Sequence, residues 1–180
     1  MVKTPKAVVE SDFDYLVENS IKEKYAKQLK KQFKAGNIRF QVSRSLGLNN
    51  ETGLENDGET HFGRRERKCI IKIRKSSATS ERICWRRAIV CHEMIHALHY
   101  FESNGIILEG EEHGEEWKNL MISAVKDGLL QDCAKELESP QEVCIFKENK
   151  EKCKLCEPNS KKTFKILTKI EFVYIVYLDV

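Results

Sequence analysis

The five residues His92-Glu93-Met94-Ile95-His96 constrain this 180-residue chain more than any other stretch. If the stretch is helical, the four-residue step between the two histidines stacks both imidazoles on one face, one turn apart, where both can reach one zinc ion. The flanking sequence predicts such a helix. Thr79 or Ser80 can cap it with Glu81 in its first turn, Ile83, Ala88, Ile89, Ile95 and Leu98 give it apolar positions, and Asn104-Gly105 can end it. Glu93, offset by one residue, falls beside the ion rather than on it. Hydrolysis needs this set: zinc lowers the pKa of a bound water to about 7, and a neighbouring carboxylate can take its proton and pass it to a leaving amine. A catalytic zinc has three protein ligands, so the pair is one short.

Two residues compete for the vacancy. His99 lies three positions beyond His96 near the same face, but as a ligand it would have to bend round an ion already held by its neighbours, so a packing or supporting role is expected. After a connection from Ile106 to Gly110, Glu111-Glu112-His113-Gly114-Glu115-Glu116-Trp117 opens a second helical pattern, lined by Trp117, Leu120, Met121, Ala124 and Val125 and stopped at Gly128. If that helix folds back on the first, His113 supplies the third ligand and Trp117 wedges into the core.

The remaining chain predicts an α+β fold. Phe13, Val17, Ile21, Tyr25, Leu29 and Phe33 recur every fourth position after a cap at Ser11 or Asp12, predicting one long packing helix closed by Gly36-Asn37. Lysines fill its other faces as a solvated side. Ile38 to Val42 alternates as a strand, and Gly47 to Gly63, poor in apolar pattern, is expected to be a long mobile loop. Cys69 to Lys75 puts Cys69, Ile71 and Ile73 on one face, as a half-buried edge strand would. Around it gather Arg64, Arg65, Arg67, Lys68, Lys72, Arg74 and Lys75, followed by Arg82, Arg86 and Arg87. This cluster is either a surface for phosphate or a solubilising charged edge.

From about Pro140 the character changes. Cys153-Lys154-Leu155-Cys156 has the spacing of half a zinc knuckle, Cys144 is a nearby thiol, and no Cys or His follows, so a ribbon here would be degenerate. Phe164 to Val180 alternates in β fashion. The expected organisation is a principal domain over 1–140 and a C-terminal β segment over 141–180.

Lys+Arg 31 against Asp+Glu 28 leave a formal charge of +3, a weak argument for a nucleic-acid partner. Seven cysteines without framework spacing fit reduced thiols and an intracellular location. The N-terminus has no apolar signal region, and the apolar run Val173 to Leu178 is too short to cross a bilayer, so no membrane partner is expected.

Taken together, the helix carrying His92-Glu93-Met94-Ile95-His96-Ala97, the later His113-Gly114-x-x-Trp117 behind acidic Glu111-Glu112, and the preceding helix and strands resemble the SprT-like zinc metalloprotease family, with its Spartan-like and germ cell nuclear antigen-like protease domains. The resemblance runs from about Phe13 to Val125. It implies a zincin-like core with a small antiparallel sheet, zinc on His92, His96 and His113, and Glu93 as catalytic base. It also implies cleavage of DNA-bound or DNA-crosslinked proteins, a nuclear location in a eukaryote, and a zinc ribbon of which Cys153 and Cys156 would be the remnant. Substrate is expected to lie extended along Cys69 to Lys75, with Tyr100 or His99 as candidates to help stabilise the oxyanion. The rival expectation is a DNA-binding module whose zinc is structural and which cuts nothing. Glu93 separates the two, because a structural site has no use for a carboxylate that does not ligate.

Overall fold

The computed structural model describes residues 3–48, 55–63, 67–107 and 113–126. In chain order these form α1 (Pro5–Asn19), α2 (Glu23–Lys34), β1 (Ile38–Ser43), β2 (Gly58–Gly63), β3 (Lys68–Arg74), α3 (Lys75–Ala78), α4 (Ile83–Glu102) and α5 (Glu115–Ala124). The α+β class expected from sequence is what the chain adopts. Cys144, Cys153 and Cys156, the expected C-terminal β segment and the expected boundary near 140 lie outside the described residues, as do Arg64 and Arg65.

α4 is the axis. Every residue from Ala88 to Tyr100 is buried, so this helix is covered on all sides and not merely along one stripe. It ends as expected: Asn104 and Gly105 take positive φ of 55° and 85°, and the Gly105 amide donates to the Tyr100 carbonyl at 2.7 Å. Its start differs from the expected cap. Residues 75–78 form the separate turn α3, the Thr79 hydroxyl donates back to the Lys75 carbonyl at 2.9 Å, and α4 begins only at Ile83.

The long N-terminal helix predicted from period four is two helices. Thr4 caps α1 by accepting from the Ala7 amide, with Pro5 in the first turn. The chain then breaks at Ser20 to Lys22 because its backbone pairs elsewhere: the Lys22 amide donates to the Ala124 carbonyl and the Lys126 amide to the Ser20 carbonyl, both at 2.7 Å, with Ile21 opposite Val125. Phe13, Val17, Ile21 and Leu29 are nevertheless all buried. The stripe identified the core correctly and the continuity wrongly, since tertiary hydrogen bonds outweigh two more helical ones.

The sheet has the order β1-β3-β2, with β1 parallel and β2 antiparallel to β3. It is therefore mixed rather than antiparallel. Cys69, Ile71 and Ile73 face the core as predicted, but β3 is the central strand and not an edge. The edges among the described residues are β1 and β2. β2 falls in the segment expected to be a loop; its Gly-Glu-Thr-His-Phe-Gly sequence holds one large apolar residue, and it is a strand because β3 and α4 give it partners. Phe62 stacks on Tyr100 with ring centroids 4.7 Å apart, and the Tyr100 hydroxyl donates to the Gly63 carbonyl at 3.0 Å.

Three arginines of the expected basic surface are engaged internally. Asp12, buried on α1, accepts from Arg86 and, at 3.2 Å, from Arg87 on α4, while Arg87 lies 3.5 Å over the Tyr15 ring. Arg74 pairs with Asp57 at 2.7 Å and Glu55 at 3.2 Å. These three arginines fasten elements together. Among the described residues no helix is long and apolar enough to cross a membrane.

Candidate metal centre

His92 and His96 sit in the middle of α4, one turn apart, and His113 enters from the residue pair that precedes α5. Gly114 caps α5 in an extended conformation, so the chain turns into the helix immediately after His113. The far end of α5 is fixed by the backbone pairing of Ala124 to Lys126 with Ser20 to Lys22. In between, Trp117, fully buried, lies with its ring centroid 5.1 Å from His92, 5.2 Å from His96 and 5.0 Å from His113. The indole is thus the common wall against which all three imidazoles are set.

The three Nε2 atoms converge. They are 3.0 Å apart for His92 and His96, 2.9 Å for His96 and His113, and 3.1 Å for His113 and His92. Three such contacts cannot all be hydrogen bonds, since every bond needs one protonated and one bare nitrogen and a triangle cannot alternate the two. Three lone pairs aimed at one point fit a cation instead. Around a tetrahedral ion at about 2.0–2.1 Å, nitrogens stand about 3.3 Å apart, so this triangle needs to open by only a few tenths of an ångström. Burial holds His92 and His96 neutral, well below the usual imidazole pKa, with the charge of His113 pushing His92 further and those of His92, His113 and His99 pushing His96. Neutral imidazole is the form that binds metal. These residues could hold a metal ion, as the sequence spacing predicted for all three.

Glu93 is not part of that triangle. Its carboxyl is buried and engaged from β2: the Thr60 hydroxyl stands 2.7 Å from Oε2 and 3.1 Å from the Glu93 carbonyl. On the other side lies Gly58, where a Cβ would come within 2.7 Å of Oε1 and 2.8 Å of Cγ. Burial pushes the Glu93 carboxyl up to about 8; the Thr60 hydrogen bond opposes this and the charge of Glu59 adds to it. A cation held by the three imidazoles would draw it back down.

His99 does not join the triad. It is buried one turn further along α4, its Nε2 3.5 Å from a Glu116 carboxylate oxygen, and it borders a cavity of about 800 Å³ between the end of α4 and α5. Tyr100, the other candidate for oxyanion stabilisation, spends its hydroxyl proton on Gly63. Thr60 and Gly58 were not foreseen. The only signal for them was two small residues spaced two apart, visible as a strand face only after β2 is known.

A buried helix bearing two histidines and a glutamate, met by a third histidine ahead of a short helix, gives an α+β protein with a histidine triad that could hold a metal ion. The chain belongs to the SprT-like family, whose model matches residues 19–135, about two-thirds of its length. That family is associated with metalloprotease-like function. No curated protein matches the chain, and no solved structure does.

Proposed function

We propose that the protein is a zinc-dependent endopeptidase with a zincin core, acting on proteins bound or crosslinked to DNA. The observation that carries the reading is the meeting of three Nε2 atoms, with the buried Glu93, next to His92 in sequence, standing outside their triangle and held by Thr60. An all-imidazole donor set suits zinc, which when bound supplies a Lewis acid and a water of lowered pKa. His92, His96 and His113 would hold it. Glu93 takes the proton of the attacking water and delivers it to the leaving amine.

Substrate binding moves to a different strand from the one expected. β3 is hydrogen-bonded on both sides, so it has no free edge for a peptide. β2 is an edge strand among the described residues and its Gly58 and Thr60 touch Glu93, so an extended peptide pairing with β2 lies beside the base. Recognition through backbone predicts loose sequence preference. The DNA association in this reading rests on the resemblance to Spartan-like protease domains, and Arg67 and Lys68 stand at the start of β3.

The test is cleavage of an unfolded reporter protein by zinc-loaded chain, with and without single- and double-stranded DNA, beside Glu93→Gln. The variant is expected to keep zinc and fold and to lose about a hundredfold or more in rate. Cleavage unchanged by the substitution contradicts the mechanism. Cleavage indifferent to DNA removes the DNA association and leaves the peptidase.

A further inference from the structure

Resting on the peptidase reading, we propose that Thr60 is a positioning residue for the reaction: its hydroxyl aims the Glu93 carboxylate, so that the strand proposed to receive the substrate also sets the orientation of the base.

The geometry carries this in three steps. A threonine hydroxyl has one proton, and two oxygens of Glu93 are in reach, Oε2 at 2.7 Å and the backbone carbonyl at 3.1 Å. The carbonyl lies in mid-helix, where the amide four residues on already uses it. The shorter contact, to an acidic oxygen, is the stronger, so the proton goes to the carboxylate. Second, a glutamate side chain has several rotatable bonds, and an untethered base loses rate to every rotamer that points elsewhere. Thr60 itself is β-branched and rigid at χ1 and is fixed by its place in β2, whose register with β3 sets Thr60 opposite Ile71. Third, Gly58 lies two residues earlier on the same strand face, and its bare backbone closes on the Oε1 side of the carboxylate. The carboxylate is held between a donor on one oxygen and a wall against the other. Oε1 is then the oxygen that Thr60 does not engage.

A purely structural role, tying β2 to α4, has a different signature. Thr60→Val keeps the shape and the branched packing but removes the hydroxyl; Thr60→Ser keeps the hydroxyl. Both are measured as full-length zinc-loaded chains for metal content, melting temperature, and kcat and KM on a fluorescently labelled unfolded casein with single-stranded DNA present. In parallel the ¹³Cδ resonance of Glu93 is followed in labelled protein. The expected result is a fall in kcat of about ten- to a hundredfold for Thr60→Val, with zinc content retained and KM within about twofold, and recovery to within about threefold in Thr60→Ser. The Glu93 resonance is expected to move in the valine variant and to stay in the serine variant. The proposal is overturned if Thr60→Val keeps wild-type kcat, if the serine variant falls as far as the valine one, or if the resonance is unmoved by both. Wild-type chain that holds zinc and cleaves nothing overturns the peptidase reading instead, and the resonance still decides whether Thr60 holds the carboxylate.

Discussion

Gly58 shows how little freedom the residues of the site have. A methyl group there meets the Glu93 carboxylate at 2.7 Å, below any ordinary contact, and since Glu93 is buried the carboxylate can yield only by leaving its place against Thr60. Gly58→Ala is therefore expected to lower stability by about 1–2 kcal/mol by overpacking, seen in urea denaturation, and to reduce proteolysis far more than that modest loss explains, with the metal retained. Activity equal to wild type would show that the carboxylate tolerates displacement. The meeting of His92, His96 and His113 was legible in the sequence because the spacing that suits metal ligands on a helix, with a histidine just ahead of the next one, predicts it. Thr60 and Gly58 were not, because their meaning is tertiary: a threonine and a glycine in a polar segment carry no pattern until β2 is laid against α4.

At the scale of elements, what the sequence concealed was decided by partners distant in the chain. β2 is a strand through β3 and α4 rather than through its own apolar content, and the α1–α2 break is held by hydrogen bonds to residues more than a hundred positions later. Apolar alternation in β3 correctly named its buried face but could not say whether it had one neighbour or two. Charge density likewise misled: Arg86 and Arg87, read as surface, converge on buried Asp12 and clamp α1 to α4. Removing the acid leaves the Arg86 guanidinium largely buried without its counter-charge, so Asp12→Ala is expected to cost about 3 kcal/mol in the urea midpoint analysis. A loss below about 1 kcal/mol would mean that the arginines swing to solvent and that the clamp contributes little.

Over the whole molecule, the arrangement positions one histidine against two. α4 carries His92 and His96 through the centre of the fold, and α5 is held at one end by Trp117 in the core and at the other by the pairing of Ala124 to Lys126 with the α1–α2 break. His113, two residues ahead of α5, is brought to the α4 histidines by these two anchors. A metal bound across α4 and this segment adds its binding free energy to folding, so stripping the metal is expected to loosen α5 first. The most direct test of the account is the zinc content per chain of the purified protein beside His113→Ala, counted by elemental mass spectrometry after both are shown to be folded. Taking the difference cancels any zinc held elsewhere in the chain. The account predicts that the wild type carries one more zinc ion per chain than the variant; equal zinc content in the two would contradict the three-histidine centre.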